Sequence, residues 1–179
     1  MRTLLLLRHA KSSWDDPALD DFERPLAPRG REAAPLMASF IASHDLRPDY
    51  VVCSSAVRTQ ATLGLVLPAF VGKPPAVIYD DTLYLASRSA LMTRLRRVPA
   101  KWRRVMVVGH NPGLHDLALH VVARSDDQLH VALAAKFATA ALAVVAFNVA
   151  TWHDVTAHSG ELTHFTTPSR LQKALARQQ

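Results

Sequence analysis

Apolar runs alternate with longer amphipathic stretches along this chain. The first run, Leu4 to Leu7, stops abruptly at Arg8 and His9, which predicts a buried strand ending in charged chemistry. A polar loop rich in acidic residues follows from Lys11 to Ala27, and its length marks it as functional. Pro28 opens a predicted helix in which Ala33, Leu36, Met37, Phe40 and Ile41 share one face. A strand is predicted over Tyr50–Cys53, then a helix from about Ala56 to Phe70 with Ser54 and Ser55 as candidate caps.

A third strand is predicted over Ala76–Tyr79, and a helix from Ser87 or Ser89 to Arg97. The fourth strand, Val105–Val108, runs into Gly109-His110-Asn111-Pro112-Gly113, with Asn111 as cap and Pro112 at the first helical position. Leu114, Leu117, Ala118, Val121 and Val122 make the stripe of that helix. The stretch from Arg124 to Lys136 shows no clear period. Ala140–Phe147 is the fifth strand and Glu161–Phe165 the sixth, antiparallel at an edge, before a polar, basic tail after Pro168 that reads as a loosely packed helix. Strand–helix alternation four times over predicts an α/β three-layer sandwich, its mostly parallel sheet of about six strands covered on both faces.

Composition adds limits. The 179 residues, 49% of them hydrophobic, suit a single domain over 1–179 with a core at about 3–165. No apolar run approaches the roughly 20 residues of a membrane span, and no secretory signal is evident, so a cytoplasmic protein without membrane contact is expected. One cysteine, Cys53, excludes an internal disulfide. The net charge of +6 equals the acid-free run Arg94, Arg96, Arg97, Lys101, Arg103 and Arg104. That run falls at the amino edge of the sheet and lacks interleaved aromatics, so it reads as a solvated face and no nucleic-acid partner is expected.

Chemistry gathers at the opposite edge. Arg8 and His9 follow the first strand, Arg58 lies in the first turn after the second, and His110 follows the fourth. Ligand crevices of open α/β sheets lie outside the carboxyl ends of the strands. Two arginine forks beside two imidazoles, with helix amino ends near Ala56 and Pro112, suit a phosphoryl group.

These residues resemble a known family. Leu7-Arg8-His9-Ala10, Ser54-Ser55-Ala56-Val57-Arg58-Thr59 and Val108-Gly109-His110-Asn111-Pro112-Gly113 are similar to the three signatures of the histidine phosphatase superfamily. Arg24-Pro25-Leu26 and Arg29-Gly30 further resemble its short SixA-type phosphohistidine phosphatases. The resemblance implies a phosphoglycerate-mutase-like fold and a metal-independent, cofactor-free phosphatase. It makes His9 the nucleophile that takes up the phosphoryl group, with Arg8, Arg58 and a protonated His110 as the phosphate clamp. The neighbouring arginines are expected to depress the His9 pKa.

Three further positions are substrate-binding candidates by the same resemblance. Ser12 lines up with a phosphate-contacting hydroxyl, and Asp15 falls where many members carry an asparagine. Asp81 lies near the place of the glutamate acid used by mutases and ester phosphatases. Here Asp80-Asp81-Thr82-Leu83-Tyr84-Leu85 has no carboxylate after the leucine, so Asp15 and Asp81 are candidates for a displaced acid. An alkoxide needs a proton to leave, whereas imidazole, of pKa about 6.5, leaves more easily. The expected substrate is therefore phosphohistidine, on a carrier protein or as a small phosphoramidate, with phosphate or sulfate able to occupy the site. A broad small-molecule phosphomonoesterase and a non-catalytic phosphate-binding module are the alternatives.

The remaining candidates are weaker. Cys53 is separated from Arg58 by four residues, without the five-residue spacing and glycine of cysteine phosphatases, and reads as a core residue. His115 and His120 point to different helix faces, and His44, His130, His153, His158 and His164 also lack ligand spacing. Trp14 suits either the rim of the site or packing within the loop.

Overall fold

The first strand, β1 (Arg2–Arg8), is interior because its leucines are needed on both faces. Side chains alternate along a strand, so Leu4 and Leu6 enter one core and Leu5 and Leu7 the other, all four fully buried. The computed structural model describes residues 1–177. After β1 come α1 (Pro28–Ser43), β2 (Tyr50–Ser54), α2 (Val57–Val66), β3 (Ala76–Asp80), α3 (Arg88–Arg96), β4 (Arg104–Gly109) and α4 (Gly113–Val121). The chain continues through β5 (Val122–Ser125), α5 (Asp127–Ala135), β6 (Leu142–Phe147), β7 (Gly160–Thr166) and α6 (Pro168–Ala176).

The sheet order is β3-β2-β4-β1-β6-β7-β5. β1 to β4 run parallel, and β6 pairs antiparallel with both β1 and β7. One face packs Met37 and Ile41 of α1 and Leu63 and Val66 of α2 over Leu5, Leu7, Val51 and Met106. The other packs Leu91 and Leu95 of α3 and Leu114 and Leu117 of α4 over Leu4, Leu6, Val52 and Val107. Among the described residues, no helix is long and apolar enough to cross a membrane.

Register sets up the site. Arg8 pairs with Gly109 and Cys53 with Val108, so β1, β2 and β4 end level with one another. The residues just past each of these strands therefore open onto the same edge.

The sheet has seven strands rather than six. Val122, expected in the stripe of α4, instead opens β5 (Val122–Ser125), a four-residue edge strand paired parallel to β7 that runs into the stretch without a clear period. β7 is consequently not an edge. So short a strand carries no measurable alternation, which is why its sequence is mute. α5 follows with Asp126 as its cap, the carboxylate accepting from Gln128 N at 2.9 Å. Neither Ser54 nor Ser55 caps α2, whose cap residue Ala56 makes no side-chain capping bond. Asn111 does not cap α4 either: its Oδ1, the atom that would accept a helix N–H, is buried without a partner, and its Nδ2 donates to Phe137 O at 2.9 Å. The basic run is partly tied down: Arg94 pairs with Asp80 at 2.7 Å, and Arg96 donates to Val155 O.

α1 is seated on the loop after β1 through Gly30. A Cβ there would lie 2.2 Å from Lys11 O, too close for any side chain without displacing backbone. Ala27 N also donates to that carbonyl at 2.8 Å. Gly30→Ala should therefore lower unfolding free energy by about 1–3 kcal/mol despite alanine's better helix propensity, as read from urea denaturation. A stabilised variant would show that the helix moves freely on the loop.

Candidate active site

His9 leaves β1 with its backbone N–H bonded to Gly109 O at 3.1 Å, and the residue is 8% exposed. Its Nδ1 lies 2.7 Å from Ala10 O. A carbonyl only accepts, so Nδ1 carries the proton and Nε2 keeps a free lone pair. Ala10, small and fully buried, fits here, and its own N–H donates to Thr62 Oγ1 at 2.9 Å. Thr62 in turn donates to Arg58 O at 2.7 Å, tying α2 to the turn that holds His9.

His110 stands across from His9, the ring centroids 5.3 Å apart. Arg58 Nη2 contacts its Nδ1 at 3.3 Å, and a guanidinium only donates. His110 Nδ1 is thus unprotonated, and its Nε2–H donates to Ser54 Oγ at 2.8 Å. Ser54, expected as a helix cap, instead orients this imidazole. Burial, then the neighbouring His9 and Arg58, lowers the His110 pKa to about 3. The ring is neutral in this state rather than protonated. His9 is lowered to about 4, by burial first and then by Arg58 and Arg8, the depression by neighbouring arginines that the sequence predicts.

Arg8, His9, Ser12, Arg58 and His110 all line one cavity of about 380 Å³. Arg8 donates from Nη1 to Phe137 O at 2.9 Å, while its Nε is buried without a partner. Asp15 and Asp81 do not line it: both are exposed, and Asp81 accepts from Ser55 Oγ. The acidic loop supplies Asp21 instead, from a 3-10 turn over Asp21–Glu23. Its carboxylate holds Arg58 at 2.9 Å, Arg24 at 3.0 Å and the Tyr84 hydroxyl at 2.6 Å. Tyr84 foremost, with Arg58 and Arg24, holds the Asp21 carboxyl down at about 2. It is a fixed anion, not a proton donor.

Arg24 is the third arginine of the cavity, a site residue that strand-end reasoning misses. It is 5% exposed, donates from Nη2 to Ser12 Oγ at 2.8 Å, and stacks on the Trp14 ring. Its signal in the sequence is Arg24-Pro25-Leu26 at the end of an unusually long loop. Asp21 and Tyr84 have no such signal, since their meeting depends on a contact across 63 residues.

Cys53 is fully buried and its thiol is pushed up to about 12 by desolvation, so it supplies no thiolate. Among the described residues, no group of three or more His, Cys, Asp or Glu side chains is arranged to hold a metal ion.

The SixA protein of Nakamurella multipartitia, described as a candidate phosphohistidine phosphatase, superposes with a TM-score of 0.80 at 31% identity, over 93% of this chain and 96% of that one. The chain belongs to the histidine phosphatase superfamily. Its SixA-type kinship extends to the corresponding protein of Agrobacterium tumefaciens, with a TM-score of 0.78 at 30% identity over 93% of this chain and 98% of that one. A third SixA structure, complexed with tungstate, shares the phosphoglycerate-mutase-like fold at 20% identity, with a TM-score of 0.75 over 94% of this chain and 99% of that one. An uncharacterized Mycobacterium tuberculosis protein is 32% identical over 164 residues, 90% of this chain and 99% of its own length. No protein-family model matches the chain.

The two depressed imidazoles make stability depend on pH. The unfolded chain protonates both near pH 6.5, whereas the folded histidine phosphatase resists protonation until about pH 4 at His9 and about pH 3 at His110. Their contribution to stability is thus fully present above about pH 6.5 and is lost as pH falls toward 4 and below. Ring NMR signals of His9 and His110 should stay in their neutral positions from pH 7 to about pH 5. Titration of either ring near pH 6.5 would contradict the depressed pKa values.

Proposed function

We propose that this histidine phosphatase hydrolyses phosphohistidine through a covalent phosphoryl adduct on His9 Nε2. The observation that carries the reading is the Nδ1 contact to Ala10 O at 2.7 Å, which leaves a neutral ring with its second nitrogen free in a cavity lined by three arginines. In-line attack of Nε2 on phosphorus forms the N–P bond as the bond to the substrate ring breaks, that ring being protonated on its other nitrogen so that it departs as neutral imidazole. Arg8 and Arg58 stabilise charge on the equatorial oxygens, and the unpartnered Arg8 Nε gains an acceptor. The phosphoryl dianion raises the His110 pKa, so the ring takes up a proton as the charge arrives. Water then attacks the adduct, releasing phosphate and restoring His9.

The inventory of carboxylates bears on the leaving group. Asp21 is the carboxylate at the cavity, and its pKa of about 2 leaves no proton to give an alkoxide. A departing imidazole makes the smaller demand, which favours phosphohistidine over an alkyl phosphate. The tungstate held by a SixA relative supports a site shaped for a tetrahedral oxyanion.

Rapid-quench labelling with phosphoramidate or a phosphohistidine carrier protein should trap an acid-labile, base-stable adduct. His9→Ala should remove it and lower turnover by roughly 10³-fold or more. Cys53→Ser should leave turnover intact. Alkyl phosphates should turn over far more slowly than either N-phosphoryl substrate. Equal rates on both classes would make this a general phosphomonoesterase, and saturable binding without an adduct would make it a binding module.

A further inference from the structure

A second and larger cavity, of about 640 Å³, adjoins the catalytic one, and Lys11 and Thr139 line both. Its rim carries four exposed cations from four parts of the chain: Lys11 after β1, Arg29 on α1, Lys136 after α5 and Arg170 on α6. No acidic residue lines it, and none of the four makes an ion pair among the described residues. Ala33, Ala132 and Ala135 also line it, and their small side chains leave the space open. Concentrating unpartnered charge of one sign in a concavity is unfavourable for folding and favourable for capturing anions.

We infer that this basic groove docks an acidic segment flanking the phosphohistidine of a protein substrate. The inference rests on the proposed activity and adds the partner's chemistry. With the phosphohistidine ring at His9, its chain leaves the catalytic cavity across Lys11 and Thr139, the boundary the two cavities share. Carboxylates a few residues away then meet Arg29, Lys136 and Arg170. Cations spread over four walls suit several carboxylates along a chain better than one compact anion. The occupied groove also touches the loop whose Phe137 carbonyl accepts from Arg8 Nη1 at 2.9 Å and from Asn111 Nδ2 at 2.9 Å.

The test uses two phosphohistidine peptides alike except that three flanking residues are glutamate in one and glutamine in the other. Wild-type protein should hydrolyse the acidic peptide with kcat/KM about tenfold higher at low salt, the advantage shrinking toward unity as salt is raised to about 0.3 M. In Lys136→Gln/Arg170→Gln the advantage should fall to about twofold or less, with the neutral peptide unaffected. Lys136 and Arg170 line only the groove, so phosphoramidate hydrolysis should also be unchanged.

Equal rates on the two peptides in wild type, or a preference that survives the double substitution, overturns the inference and leaves the proposed activity standing. Tripolyphosphate binding abolished by the double substitution, without any peptide preference, would make the groove a small-anion site and overturns the assigned partner. Failure to hydrolyse any N-phosphoryl substrate overturns the activity and the docking together.

Discussion

The hydrogen bond from His9 Nδ1–H to the carbonyl of Ala10 is the constraint on which the site depends. It fixes the tautomer, presents the other ring nitrogen, and does so where burial keeps the ring uncharged. A protonated imidazole has no lone pair to attack phosphorus, and the charges of Arg58 and Arg8 add to the burial that holds the neutral form. The turn carrying this carbonyl is itself held from two sides, by Thr62 on α2 and by the bond from His9 N to Gly109 O at the end of β4.

The cavity is arranged as charge opposed by charge. Arg24 and Arg58 are held by Asp21, so the guanidinium groups are positioned before any phosphoryl group arrives. Such preorganisation leaves little to rearrange as negative charge develops. The arrangement also explains how a carboxylate can border an anion site: Asp21 offsets part of the positive charge and, bonded to Tyr84 as well, stays ionised. His110, neutral between Arg58 and Ser54, completes a site whose donors are aimed but whose imidazoles carry no charge of their own.

Much of this was legible in the chain because strand ends are local. Arg8, His9 and His110 directly follow apolar runs, and Arg58 follows one by a single helical turn; a parallel sheet carries all such positions to one edge. The parts that escaped were those fixed by distant partners. Ser54 reads as a helix cap by local rules, yet its hydroxyl is claimed by a histidine 56 residues away. Asp15 and Asp81 were the carboxylates the resemblance offered and Asp21 was not among them, because an acidic loop gives no sign of which of its carboxylates turns inward. β5 was silent for a different reason, being too short for any period to register.

The sequence alone determined which residues reach the carboxyl edge of the sheet, since hydrophobic runs and their lengths are properties of contiguous chain. It also determined the reagents available there: imidazole, guanidinium and no thiolate-competent cysteine loop. Only the tertiary structure decided how those reagents are charged and paired. Burial of His9 and His110, the choice of Asp21 as counter-ion, and the meeting of four cations in one groove all arise from side chains brought together across long stretches of chain. Desolvation and pairing depend on what surrounds a group in space, and neighbours in sequence carry little of that information.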